Sequence, residues 1–378
     1  MIAGGGTGGH LYPGIAIARE LVARGHPTAS LHFVGARRGL EGRTRATEPF
    51  PTTLLPGRGL QRSLRWPSLM ANGMALAGEL AAVAAAVALF ATWRPAVVVS
   101  LGGYASLPAV AAALVWRVPL VVVNVDAAPG AANRVAARFA CACAVGQRGV
   151  ELPHTVFTGV PVRAEMAAVE RGPAGRAAAR ERLGIPLTPL VVAVSGGSLG
   201  SRRVNEATVQ LADLWAGRTD VYIYHVVGRR DWDSFGPRPG DVPRPFYKAV
   251  PYEEDMASLY SAADVAVQRA GANTVAELAL AGLPSVLVPL PGAPGDHQSA
   301  NARAMASAGG AVVVPDAELD GERLAQELGD LLAGPGRLAE MGGSAQALAT
   351  PRATAEVTDV VEQCARKGAG GPGAHAGT

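Results

Sequence analysis

Leu190-Val191-Val192-Ala193-Val194-Ser195 is an unbroken apolar run, and it leads straight into Gly196-Gly197-Ser198-Leu199-Gly200-Ser201. A run that is apolar at every position, not at alternate ones, marks a strand buried on both faces by helices, as in a parallel sheet. The residues that follow, Ser201 to Trp215, carry a helical pattern. The stretch is therefore a strand–glycine loop–helix unit. Glycines let the backbone approach an anion closely, and the helix that follows points free N–H groups at it.

Working outward, Val221 to Val227, Ala263 to Val267, Ser285 to Pro289 and Ala311 to Val314 read as further strands, with a helix at Thr274 to Ala281. The N-terminal half repeats the scheme. Strands are expected at Leu31 to Val34, Ala96 to Ser100 and Pro119 to Val123, and helices at Pro13 to Arg24 and Pro108 to Trp116. Two more glycine loops lie in that half: Gly4-Gly5-Gly6-Thr7-Gly8-Gly9-His10 and Ser100-Leu101-Gly102-Gly103-Tyr104-Ala105-Ser106. Three such loops imply two phosphorylated ligands handled across a cleft. The expected fold is α/β with two Rossmann-like domains. Residues 1–161 form the first, 162–366 the second, and the Gly-rich residues 367–378 a disordered tail. Met1-Ile2-Ala3 leaves the first strand short against the ~5–6 residues usual for a strand, through either a truncated start or a stunted strand.

Composition narrows the function. The 378 residues carry 34 basic and 31 acidic side chains, a balance that argues against a general nucleic-acid binder. The basic side chains are nearly all Arg, which suits phosphate recognition. Three cysteines are too few for a disulfide scaffold. Cys141 and Cys143 are expected to be reduced core residues, which implies a cytosolic compartment, and no ligand spacing for a metal is present. No secretory signal precedes the first glycines. The Ala-rich stretch from Leu69 to Trp93 is interrupted by Asn72, Gly73, Gly78 and Glu79, and reads as a buried or interfacial helix, not a membrane span.

A dinucleotide site is disfavoured. Gly4, Gly6 and Gly9 fit GxGxxG, yet Gly35-Ala36-Arg37-Arg38 stand where an acid should follow the second strand. No glycine loop ends in Gly-Lys-Ser/Thr. Asp231-Trp232-Asp233 matches the Asp-x-Asp string of metal-dependent sugar transferases, but without the strand context, and reads as chance. Neither cofactor nor metal is expected.

Five features together resemble the MurG-type N-acetylglucosaminyltransferases of glycosyltransferase family 28. They are the opening Gly-Gly-Gly-Thr-Gly-Gly-His with Pro13-Gly14, Gly102-Gly103-Tyr104, Gly159-Val160-Pro161-Val162-Arg163, Gly196 to Gly200, and Arg269 to Glu277 followed by Asp296-His297-Gln298 and Asn301-Ala302. The resemblance runs from Ala3 to about Arg366. It implies the GT-B fold, with inverting transfer of N-acetylglucosamine from UDP-N-acetylglucosamine to the lipid-linked muramyl-pentapeptide. The setting it implies is the cytoplasmic membrane face, among cell-wall synthesis proteins. One segment departs: where the family carries His-Glu-Gln-Asn, this chain reads Val123-Asn124-Val125-Asp126. A related transferase with a glycolipid or natural-product acceptor is therefore the alternative. A UDP-sugar 2-epimerase and a non-catalytic sugar-nucleotide binder are the readings from other classes.

By this resemblance His10 is the general base or an acceptor contact, against the plainer role of orienting its loop. A helix N-terminus keeps the imidazole neutral in either role. Asp126 is a second base, an acceptor ligand or a turn cap. Thr7, Gly8, Gly9, Tyr104 and Asn133 belong to the acceptor half. Ser198, Leu199 and Gly200 would hold the diphosphate, with Ala272, Asn273 and Thr274 at the next helix start. Arg163 would contact the nucleotide, and Tyr252 would pack on the uracil or stand as an ordinary surface Tyr. Glu277 would take both ribose hydroxyls, because a carboxylate offers two acceptor oxygens. His297 and Gln298 would contact the sugar. Arg58, Arg62, Arg65 and Trp66, beside the apolar helix, suit an anionic membrane surface.

Overall fold

The computed structural model describes residues 1–5, 8–36, 48–56, 66–197, 199–237, 244–334 and 336–369. The chain divides into two compact units, Met1–Arg163 together with the chain from Arg352 onward, and Ala164–Pro351.

The first unit is built on a seven-stranded sheet: β1 (Ile2–Ala3), β2 (Phe33–Ala36), β3 (Thr52–Leu55), β4 (Val98–Ser100), β5 (Leu120–Asn124), β6 (Ala142–Val145) and β7 (Thr155–Phe157). Their spatial order is β3-β2-β1-β4-β5-β6-β7, and all pairings are parallel. Continuous Val and Ala runs are what such a sheet needs, since β4, β5 and β6 are buried at every position. The two-residue β1 is central and pairs on both sides, Ile2 with Phe33 and with Val99.

The helix Trp66–Trp93 covers one face of this sheet. It buries Ala82, Ala86 and Phe90, one turn apart on a single face, and packs on the helix Leu107–Trp116. Among the described residues no helix is long and apolar enough to cross a membrane.

The second unit repeats the plan with β8 (Leu190–Ser195), β9 (Val221–Val226), β10 (Tyr247–Val250), β11 (Val265–Gln268), β12 (Ser285–Leu287) and β13 (Ala311–Val313). The order is β10-β9-β8-β11-β12-β13, again all parallel. In both sheets the chain starts near the middle, builds outward on one side, then returns and builds on the other. The reversal falls between β1 and β4, and between β8 and β11. Ligands of open α/β sheets bind at the carboxyl ends of the strands at this point.

Three expectations need correction. The helix Ala353–Ala369 belongs with the first unit, not the second. Its buried stripe Val357, Val361 and Cys364 faces that unit. Arg24 donates to Asp359 at 2.6 Å and to the Ala355 carbonyl at 2.9 Å, and Thr354 exchanges hydrogen bonds with Val162 at 3.2 and 3.0 Å. An amphipathic stripe in sequence does not say which core it will cover. The same helix carries residues 367–369 of the expected tail, and 370–378 lie outside the described residues. Finally, Cys141 is not a reduced core residue: it is disulfide-bonded to Cys364 on that helix, while Cys143 remains a buried thiol.

Candidate functional site

In the first unit the two glycine loops follow the strands on either side of the reversal, β1 and β4. The helix after β1 begins at Gly8, earlier than Pro13 suggested, so Pro13 lies inside it and His10 is in its first turn. Pro13 is the sixth residue of this helix and has no N–H to donate to the preceding turn. The His10 ring lies against the second loop: a Cβ at Gly103 would stand 3.6 Å from its Cε1 and Nδ1. Gly103 (φ 73°) and Gly102 (φ 89°) both need the left-handed region.

On the other side of that loop stands Asn133, whose Oδ1 would be 2.6 Å from a Cβ at Gly102. Asn133 is only 6% exposed and donates from Nδ2 to Asn124 Oδ1 at 3.0 Å. Asn124 ends β5 and donates to the backbone oxygen of Asp126 at 2.7 Å. His10, Gly102-Gly103, Asn133, Asn124 and the backbone of Asp126 thus form one connected set at the carboxyl ends of β1, β4 and β5. Tyr104 opens a short 3-10 turn on the same loop, and Gly9 is exposed beside His10. Of the divergent segment, Val123, Asn124 and Val125 are buried and Asp126 is half-buried.

Arg163 also falls here. It is the last residue of the first unit's leading segment, Met1–Arg163, and its guanidinium sits 5.1 Å from the centre of the Tyr12 ring. Thr7 and the basic Arg58, Arg62 and Arg65 lie outside the described residues, as does the side chain of Trp66.

The second unit places the third loop after β8. Gly197 N donates to Ser195 Oγ at 3.2 Å and Gly200 N to the Gly197 carbonyl at 2.9 Å. Ser201 then caps the helix Arg202–Leu214 by accepting from Val204 N. Ser198 lies outside the described residues, and Leu199 is half-exposed.

The stretch after β11 faces this loop across the second reversal. Arg269 braces it through both of its Nη atoms. Its Nη2 donates to Ser201 Oγ at 2.6 Å, and its Nη1 to the carbonyls of Val288 and Pro289 at 3.2 and 3.1 Å. It also pairs with Asp316 at 2.6 Å. Asn301, wholly buried, donates to the Ala270 carbonyl at 3.1 Å. Nothing local in the sequence marks Arg269 or Asn301 as braces, because their partners lie far along the chain.

Gly271 caps the helix Ala272–Ala281, and a Cβ there would meet nothing closer than Thr274 Oγ1 at 3.8 Å. Ala272 is buried, so its side chain is core, while Asn273 and Thr274 are half-buried in the first turn. Glu277, two turns into the helix at most, is half-buried. The buried Tyr260 hydroxyl stands 3.4 Å from its Oε2 and 3.1 Å from Gln268 Oε1. His297 and Gln298 start the helix His297–Ser307. Gln298 Oε1 accepts from Leu290 N at 2.9 Å, which ties the helix start to the end of β12. Tyr252, just past β10, stacks under Arg229, 4.4 Å from the ring centre. Asp231 of the Asp-x-Asp string accepts from Arg230 and Asn205, and no metal-holding group of three His, Cys, Asp or Glu occurs among the described residues.

Paired parallel sheets with glycine loops at both reversals define a GT-B glycosyltransferase. Residues 1–145 match the glycosyltransferase family 28 N-terminal domain and residues 191–363 the family's C-terminal domain. The chain belongs to glycosyltransferase family 28. It is 39% identical over 369 residues to an Acidothermus cellulolyticus protein, covering 97% of each. It is 37% identical over 383 residues to one from Desulforudis audaxviator, covering 97% of this chain and 99% of that one. Both relatives are named UDP-N-acetylglucosamine–N-acetylmuramyl-(pentapeptide) pyrophosphoryl-undecaprenol N-acetylglucosamine transferase. The crystal structure of Acinetobacter baumannii MurG superposes with a TM-score of 0.73 at 27% identity, covering 96% of this chain and 99% of that one. A kitacinnamycin glycosyltransferase shares the fold, with a TM-score of 0.69 at 18% identity and coverage of 96% and 98%.

Proposed function

We propose that this chain transfers N-acetylglucosamine from UDP-N-acetylglucosamine to undecaprenyl-pyrophosphoryl-N-acetylmuramyl-pentapeptide, with inversion. The observation that carries the reading is near-full-length identity of 37–39% to relatives named for this reaction, joined to glycine loops at the reversal of each sheet. The first unit is assigned the acceptor and the second the donor.

In this reading His10 takes the proton from the acceptor hydroxyl, whose oxygen forms the new bond to the anomeric carbon as the bond to UDP breaks. A neutral imidazole at a helix start is suited to that task. Asp126 stands nearby as acceptor ligand or second base. The third loop and the N–H groups at the start of Ala272–Ala281 stabilise the leaving diphosphate. Glu277 accepts from the ribose hydroxyls, and His297 and Gln298 meet the sugar. Arg163, stacked on Tyr12, contacts the donor nucleotide.

Peripheral attachment to the cytoplasmic membrane face fits a lipid-linked acceptor. The helices Trp66–Trp93 and Leu107–Trp116 support it, since they expose Leu80, Leu114, Val115 and Trp116. A second acceptor remains in play for one reason. Asn124 is consumed in holding Asn133 and Asp126, so the divergent segment offers a different set of groups from the family pattern.

The test is UDP release from UDP-N-acetylglucosamine with and without the lipid-linked muramyl-pentapeptide, in wild type and His10→Ala. Release should require the acceptor and fall on the order of 10²–10⁴-fold in the variant. UDP-sugar interconversion without acceptor would replace the reading with an epimerase. Tight UDP binding with no release would point to the other acceptor class.

A further inference from the structure

A line of buried polar side chains runs from beneath the third glycine loop to the outer strand of the second sheet. Gly200 (φ 84°) sits directly on the end of β9: an added Cβ would stand 2.4 Å from the Val227 carbonyl oxygen and 3.1 Å from Asp231 Oδ2. Val227, Gly228 and Asp231 are therefore the seat of the loop. Asn205, wholly buried on the helix Arg202–Leu214, donates from Nδ2 to Val227 O at 3.0 Å and to Asp231 Oδ2 at 3.3 Å. Its Oδ1 lies 3.0 Å from Nε2 of the wholly buried His225, and His225 Nδ1 lies 2.9 Å from the Tyr247 hydroxyl.

With a neutral His225, only one arrangement of protons satisfies this line. A carbonyl and a carboxylate can only accept, so the amide nitrogen of Asn205 must face them and its oxygen must face His225. His225 Nε2 then carries the hydrogen, and its bare Nδ1 accepts from Tyr247. Burial agrees: it pushes His225 down to about 3, so the ring stays neutral, and pushes Tyr247 up to about 12, so its hydroxyl stays a donor. Tyr247 is only half-buried and faces Arg244, whose guanidinium pairs with Asp213. Asp231 in turn accepts from Arg230 at 2.8 and 3.0 Å, and Arg230 reaches back to the Gly200 carbonyl at 3.3 Å.

We propose that Asn205, oriented by His225 and Tyr247, is a positioning residue for the donor: it fixes Val227 and Asp231, they fix Gly200, and the loop is thereby held in the shape offered to the diphosphate. The inference rests on the reading of this loop as the donor's diphosphate site. None of the three side chains touches the donor in this account. Their effect passes through the seat.

The full-length wild type, Asn205→Ala and Tyr247→Phe would be compared for KM and kcat with UDP-N-acetylglucosamine, for UDP affinity by calorimetry, and for thermal midpoint. Asn205→Ala should weaken UDP and raise KM about tenfold, with kcat changing less than KM. Tyr247→Phe keeps the ring packing and should shift both about threefold the same way; it carries the test if Asn205→Ala fails to fold. A folded variant with unchanged UDP affinity would overturn the inference, as would a loss confined to kcat. Failure of the wild type to bind UDP would overturn the donor assignment itself, and the inference with it.

Discussion

At the scale of single residues, the resemblance singles out His10 and Glu277, and the fold places His10 in the first turn after the first glycine loop and Glu277 on the helix that follows β11. Glu277→Ala should raise KM for UDP-N-acetylglucosamine at least about tenfold, since charge-assisted hydrogen bonds are worth ~1.5–3 kcal/mol each; steady-state kinetics would show it. Asn124 was less legible. In sequence it reads as a lost family residue, whereas in the fold its amide joins Asn133 to Asp126. Gly102 is fixed twice, by φ 89° and by the Asn133 oxygen 2.6 Å from any Cβ. Gly102→Ala should therefore destabilise the first unit by roughly 1–3 kcal/mol, read as a lower unfolding midpoint with activity lost alongside.

His225 brings a pH dependence. Its proton affinity is depressed from 6.5 to about 3 in the fold, so between those values the unfolded chain binds a proton that the folded chain refuses. That contribution to stability is fully present above pH ~6.5 and declines on acidification, by at most about 1.4 kcal/mol per pH unit. His32, lowered to about 4 by burial, acts in the same direction in the first unit. Unfolding measured at pH 7.5 and 5.5 should show wild type losing more stability than His225→Gln.

Among elements, those read from sequence were the buried ones. Leu190–Ser195 is the strand its apolar run announces, and Ser201 caps the helix that follows. Strands β3, β7 and β10 were missed. Each is short, lies at a sheet edge and is mostly half-buried or exposed, so neither periodicity nor a continuous apolar run marks it. The braces between elements were hidden for another reason: they join residues far apart in the chain. Arg269 gathers Ser201, Val288, Pro289 and Asp316 with one planar fork. A lysine has no such geometry. Arg269→Lys should lower both unfolding stability and UDP binding energy, by roughly 1–3 kcal/mol in each, as scanning and titration calorimetry would report.

On the scale of the whole molecule, the two α/β units were legible from the repeated strand–loop–helix scheme. The destination of the last helix was not, nor was the disulfide it carries, because Cys141 and Cys364 are separated by 223 residues and nothing local pairs them. Reduction should lower the unfolding midpoint of the first unit, with a loss typical of a native disulfide, ~2–4 kcal/mol. Thiol titration of the denatured, unreduced chain should find one cysteine, and after reduction three.

The return of that helix also bears on how the protein is made. A ribosome releases the first 163 residues long before Ala353–Ala369 exists, so the unit begun first is the one finished last. The unit of 164–351 is contiguous and can complete its core while still tethered. The earlier strands must meanwhile wait with Cys141 unpaired and the Arg24 side chain without Asp359, until the closing segment emerges. Synthesis thus finishes the second unit before the first, the reverse of their order along the chain.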